Sequence, residues 1–174
     1  MDKLSPKQVS LEDLTIRKIE PRDNEALAQL IRSTLEEFGA NHPGTVYFDE
    51  ATDHLYEVFS QNHRSVYFVA LLDGEIVGGG GLYPSPGLPS DTIELVKMYL
   101  YPYVRGIGLG KLLIGKCLDE ARRSGYRNVY IETMPELRQA LRVYEKFGFE
   151  YIDHALGNTG HFGCELWMMK DLER

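Results

Sequence analysis

Apolar residues recur along this chain with two periods, and the switches between them mark the elements. At Leu27, Leu30, Ile31 and Leu35 the spacing is helical, so Asp23 to Phe38 reads as an amphipathic helix closed by Gly39. Thr15 to Ile19 precedes it as a short strand, and residues 1–14 read as a frayed N-terminal segment ahead of a single domain over 15–174. After a polar and aromatic loop from Ala40 to Phe48, Asp49 is placed to cap a second helix carrying Leu55, Tyr56 and Phe59. Ser65 to Leu72 and Glu75 to Leu82 read as strands joined by Asp73-Gly74, a strong two-residue hairpin signal. The second of these strands holds the run Gly78-Gly79-Gly80-Gly81. Glycine weakens a strand, so the run reads equally as a bulge or as a place that backbone or ligand must approach closely.

A proline-rich loop, Pro84 to Asp91, leads into Thr92 to Leu100, the strongest strand signal of all. Period two puts Glu94, Val96, Met98 and Leu100 on one face and Ile93, Leu95, Lys97 and Tyr99 on the other; both faces are mostly apolar, which predicts a central strand. A glycine-rich turn follows, then a helix from Leu109 to Ser124 with Leu113, Ile114, Cys117, Leu118 and Ala121 inward. Asn128 to Thr133 is a further strand, and Thr133-x-x-Glu136 reads as a capping box opening a helix to Phe147. Phe149 to His154 and Cys164 to Lys170 close the chain as strands. The pattern is mixed α/β, with more strands than helices.

Composition narrows the partners. With 43% hydrophobic and 26% charged residues over 174 positions, the chain is expected to form a soluble globular domain. The 19 basic against 26 acidic residues give a net charge of −7, so the positive field that a nucleic acid requires is lacking. Cys117 and Cys164 are too few for a disulfide framework, and His161-x-x-Cys164 has no companion ligands, so no metal site is expected. No secretory leader and no apolar run of roughly 18 residues is legible, which predicts a cytoplasmic protein with no membrane partner.

The segment with chemistry in it is Arg105-Gly106-Ile107-Gly108-Leu109-Gly110-Lys111, which leaves the central strand and enters a helix. Such a turn aims backbone N–H groups outward at the positive end of a helix, with small residues that let an anion approach. A dinucleotide fingerprint starting at Gly106 needs glycine where Lys111 stands; a Walker A loop needs glycine at Arg105 and Ser or Thr at Leu112. Arg105, Gly108 and Gly110 do satisfy R/Q-x-x-G-x-G/A, and in this the segment resembles the coenzyme A pyrophosphate loop of the GNAT superfamily of N-acetyltransferases. Ala140 to Phe149, ALRVYEKFGF, is similar to that family's A-x-x-x-Y-E-K-x-G-F segment, and the order of elements from about Thr15 to Lys170 matches as well.

The resemblance implies an α/β GNAT-like fold: a mixed twisted sheet, mostly antiparallel with a parallel central pair, flanked by helices. It implies acetyl-CoA as donor and a small-molecule amine or peptide amine as acceptor. Backbone groups of Met98 and Leu100 would meet the pantetheine arm and the acyl carbonyl, and the N–H groups from Arg105 through Gly106, Ile107, Gly108, Leu109 and Gly110 to Lys111 would hold the pyrophosphate. Tyr144 matches the tyrosine that protonates the departing thiolate; from spacing alone it reads as core, sharing a helical face with Leu137 and Leu141. Glu94 is the candidate general base, because an amine arrives as ammonium and must lose a proton before it attacks; the alternative is a glutamate paired with a lysine or lying at a sheet edge. Many family members carry asparagine where this chain has Leu137, which puts one cofactor contact in doubt. The loops 41–48 and 158–163, with Tyr47 and His161, lie where the family places acceptor specificity. The alternative function is a non-catalytic acyl-CoA-binding sensor, and the oligomeric state, monomer or homodimer, is open.

Overall fold

Asp73 and Gly74 take φ of 51° and 83°, the left-handed pair that a tight hairpin turn requires, and so join β2 (Val66–Leu72) to β3 (Glu75–Tyr83). The other strands in the computed structural model, which describes residues 8–174, are β1 (Leu14–Lys18), β4 (Thr92–Leu100), β5 (Asn128–Thr133), β6 (Glu150–Ile152) and β7 (Leu166–Asp171). They form one seven-stranded sheet in the order β1-β2-β3-β4-β5-β7-β6, antiparallel throughout except for the parallel pair β4 and β5. Among the described residues four helices flank it: α1 (Asn24–Glu37), α2 (Leu55–Ser60), α3 (Leu109–Arg123) and α4 (Arg138–Lys146). None of the described helices is long and apolar enough to cross a membrane.

The sheet is covered on both faces, which is why its central strands read as nearly continuous apolar runs. On one face Leu113, Ile114, Cys117 and Leu118 of α3 and Leu141 and Tyr144 of α4 pack on Phe68, Val77, Ile93, Leu95 and Ile131. On the other, Leu27, Leu30, Ile31 and Leu35 of α1 and Leu55 and Phe59 of α2 meet Tyr67 and Val69. Both cysteines are free and buried.

The strict alternation expected of β4 breaks at Lys97. Gly79 pairs with Tyr99 and Gly81 with Val96, so Lys97 and Met98 together oppose Gly80, and Lys97 has φ of 51°. One extra residue in a strand turns every later side chain over. Met98 and Leu100 therefore share the α3 face with Ile93 and Leu95, while Glu94 and Val96 share the other with Tyr99. The predicted grouping of Glu94, Val96, Met98 and Leu100 on one face holds only up to the bulge.

The glycine run serves this bulge. A Cβ on Gly79 would come within 2.7 Å of the Tyr67 hydroxyl, and one on Gly81 within 2.3 Å of the Val66 carbonyl oxygen. On the opposite face, a Cβ on Gly80 would lie 2.2 Å from Met98 Cε and one on Gly78 would lie 2.5 Å from Leu100 Cδ2. Bare backbone lets the fully buried Tyr67 lie across β3 and donate its hydroxyl to the Lys97 carbonyl at 2.8 Å. What approaches closely is a tyrosine ring, and a bulge stands beside it. Gly81→Ala is expected to cost about 3 kcal/mol, because the obstacle is main chain that has nowhere to move. A lowered urea midpoint with an unchanged slope would record it.

Three boundaries differ from expectation. Thr133 stays in β5, paired with Leu166, so it opens no capping box; α4 begins at Arg138, with Leu137 in the N-cap position and no side-chain cap. Asp49 caps a 3₁₀ turn at Glu50–Asp53 by accepting from the Ala51 N–H at 3.0 Å, and α2 starts only at Leu55. Of the segment expected to fray, residues 1–7 lie outside the described residues, whereas Leu11–Asp13 forms a 3₁₀ turn and Leu14 opens β1.

Candidate active site

β4 and β5 pair at only three positions, Thr92 with Asn128, Ile93 with Val129 and Glu94 with Tyr130. Beyond Glu94 the strands part, as the added twist of a bulge favours, and a cavity of about 680 Å³ opens between them. Glu94, Met98, Leu100, Arg105, Tyr144 and Lys111 all line it. The Tyr101 N–H donates to Val77 of β3 at 3.0 Å, so by strand alternation the backbone groups of Leu100 and Met98 face the opening instead. The Leu100 carbonyl there is already taken by the Arg105 guanidinium at 2.8 and 3.0 Å. Its N–H is left to the cavity.

At the floor of the slot the chain enters α3 through Gly106 and Gly108, with φ of 78° and 97°, and Gly110. All three glycines line the cavity, and a Cβ on Gly106 would meet nothing within 4 Å. The first N–H groups of a helix have no intrahelical partner, so this turn offers fixed dipoles to an anion, the chemistry a diphosphate needs. Leu109 is buried and Ile107 packs against the core, and neither lines the cavity. Arg105 departs from expectation. Its N–H closes on the Pro102 carbonyl at 3.2 Å, and its guanidinium also pairs with both oxygens of Glu37 at 2.7 and 2.8 Å. It braces the loop against α1, and the cradle begins at Gly106.

The other end of the cavity carries titratable groups. Glu94 is 5% exposed and accepts a short hydrogen bond from the Ser85 hydroxyl. Burial pushes its carboxyl up to about 7; the Ser85 hydrogen bond opposes this, and the nearby Glu132 adds to it. Glu132 has both oxygens engaged, by the Thr159 hydroxyl at 2.5 Å and by the Tyr130 hydroxyl at 3.1 Å. His161 stands between two carboxylates, 3.3 Å from Asp49 and 4.0 Å from Glu132. The hydrogen bond with His161 is the chief cause that holds the Asp49 carboxyl down at about 2. Lys97 lines the same end, its ammonium pKa lowered by burial and supported by Asp49 and Glu94.

Tyr144 belongs to the core and to the cavity at once. It is buried edge-on to Phe149, at 5.9 Å between ring centres, and burial raises its phenol, so it is a proton donor at neutral pH. Leu137 also lines the cavity. Of the two loop residues singled out, His161 lines the cavity and Tyr47 does not; the Tyr47 hydroxyl donates to Glu36 at 2.5 Å. Burial lifts both thiols to about 12, which leaves neither as a nucleophile at neutral pH. Asp49, Ser85, Lys97, Glu132 and Thr159 were missed by sequence reasoning. The available signal was a charge in a strand otherwise apolar on both faces, which marks Lys97 as well as Glu94.

A sequence profile described as "Acetyltransferase (GNAT) family" matches residues 27–149. The chain is 40% identical over 173 residues to "Uncharacterized N-acetyltransferase YjgM" of Escherichia coli, covering 99% of this chain and 100% of that relative. A GNAT-family acetyltransferase of Staphylococcus aureus superposes with a TM-score of 0.80 at 18% identity, over 91% of this chain and 99% of the other. YncA of Salmonella typhimurium, solved with its cofactor acetyl-CoA, gives 0.70 at 21% identity over 92% and 94%.

Proposed function

The chain belongs to the GNAT acetyltransferase family, and from that premise we propose that it moves an acetyl group from acetyl-CoA directly to a primary amine. The observation that carries this reading is one cavity with an anion cradle at one end, a buried carboxyl near pH 7 at the other and a protonated phenol in its wall. The acetyl-CoA bound to YncA supports the choice of donor.

The N–H groups from Gly106 to Lys111 receive the diphosphate, so an acidic protein neutralises an anion locally with dipoles. The Met98 and Leu100 N–H groups meet the acyl carbonyl and stabilise its oxygen as charge develops there. Glu94 takes a proton from the incoming ammonium, and the freed nitrogen attacks the thioester carbon. Tyr144 gives its proton to the sulfur as the carbon–sulfur bond breaks, and the second proton of the adduct nitrogen makes good the phenol, leaving amide, CoA thiol and the proton held by Glu94. Direct transfer suits the two thiols, which stay protonated.

Acetyl-CoA is expected to raise the melting temperature by several degrees, because a ligand at about 100 times its dissociation constant adds about 2.7 kcal/mol. ATP and NADH should leave it unchanged. If neither acetyl-CoA nor a longer acyl-CoA shifts the transition, the proposal fails. A shift without CoA release from any amine would instead identify a sensor.

A further inference from the structure

Five titratable side chains surround the acceptor end of the cavity: Asp49, Glu94, Lys97, Glu132 and His161. Four are engaged. Asp49 accepts from the Ala51 N–H and faces His161, and Glu132 has a hydroxyl on each oxygen. Glu94 holds the Ser85 hydroxyl on Oε2, leaving one oxygen for a proton. The Lys97 ammonium makes no hydrogen bond among the described residues, and no carboxylate oxygen lies within 4.0 Å of it. The backbone beneath it is left-handed, a conformation a lysine adopts only at a cost, and the Tyr67 hydroxyl fixes it there.

Resting on the acetyl-transfer reading, we propose that the acceptor is an amino acid, whose carboxylate pairs with Lys97 while its amine faces Glu94. Asp49 and Glu94 support the Lys97 charge from a distance, but a buried ammonium with no direct hydrogen-bond partner is unfavourable, so Lys97 is open to pair with an anionic group. A diamine suits it poorly. Its second ammonium would lie beside the like charge of Lys97, while the one unbonded Glu94 oxygen is taken by the first amine. Lys97 follows Glu94 by three residues across the bulge, on the strand whose Met98 N–H faces the acyl carbonyl, so the two ends of a short zwitterion lie along β4 beside the reacting carbon.

The test compares each of the twenty protein amino acids with its decarboxylated amine, and with putrescine, by CoA release from acetyl-CoA and by calorimetric binding to the CoA-saturated protein. At least one amino acid should exceed its matched amine by about 100-fold in kcat/KM, the range that one charged hydrogen bond provides. In Lys97→Met that preference should fall below about 5-fold, mainly through KM, and Lys97→Arg should restore part of it. Lys97→Asn, which tolerates left-handed backbone, gives a neutral variant that keeps the fold. Amines or putrescine equalling the amino acids, or a preference unchanged in both neutral variants, would overturn the proposal and leave the transferase standing. No CoA release from any compound would overturn the transferase reading instead. Binding of an amino acid to the CoA complex, lost in Lys97→Met, would then still support the site.

Discussion

Glu94→Gln is expected to lower kcat/KM at pH 8 by about 100-fold or more, the range that general-base catalysis supplies. The wild-type profile should show an acid limb centred near pH 7, where the buried Glu94 carboxyl loses its proton, and the variant should lack it. Stability should move the other way. Burial raises the folded carboxyl from its ordinary 4.5 to about 7, so the folded state holds this proton more tightly than the unfolded chain. That contribution is complete below pH 4.5 and is lost as pH rises through about 7, leaving the charged site about 3 kcal/mol less favourable in alkali. Glutamine keeps an acceptor for the Ser85 hydroxyl and carries no charge. The variant should therefore melt above the wild type at pH 8.5 and close to it at pH 5. A variant that keeps full activity and the acid limb would remove Glu94 from catalysis.

Tyr144→Phe should reduce kcat by about 100-fold while leaving acetyl-CoA affinity unchanged, because the phenol is asked only to protonate a sulfur that becomes basic as the bond breaks. Phenylalanine fills the same space against Phe149 and Leu141, so the fold should be kept and the melting temperature barely altered. The raised phenol keeps its proton through the alkaline range, so the wild type should show no basic limb from this residue below about pH 10. Unchanged turnover in Tyr144→Phe would make the residue core alone, as its helical spacing with Leu137 and Leu141 suggests.

How far the sequence was legible depended on whether a feature is local. The Asp73-Gly74 turn, the apolar stripe of α1 and the glycine entry into α3 each follow from a few neighbouring residues, and all appear where predicted. The bulge at Lys97 depends on Gly80 and Tyr67, residues distant in sequence, so β4 read as regular and its faces were assigned wrongly beyond Val96. Thr133 satisfied a capping pattern that its pairing with β7 overrode. Of the residues lining the cavity, Glu94 and Tyr144 could be singled out because an ionisable group in a strand and a tyrosine in a recognisable segment stand out singly. Asp49, Glu132 and His161 act as a cluster that three separate parts of the chain bring together, and no spacing records that.

The register of β4 resembles a reading frame with one extra letter. Val96 opposes Gly81 and Tyr99 opposes Gly79. A chain with Lys97 deleted would thus set Met98 opposite Gly80 and keep every other side chain of the strand on the face it now occupies. The buried Tyr67 hydroxyl would lose the Lys97 carbonyl it now donates to, but the strand could pair without interruption. Lys97 is therefore an insertion that the pairing of β3 with β4 does not demand. A shortened descendant would retain this architecture with its central strands free to zip together, a well-formed scaffold with no room for a substrate.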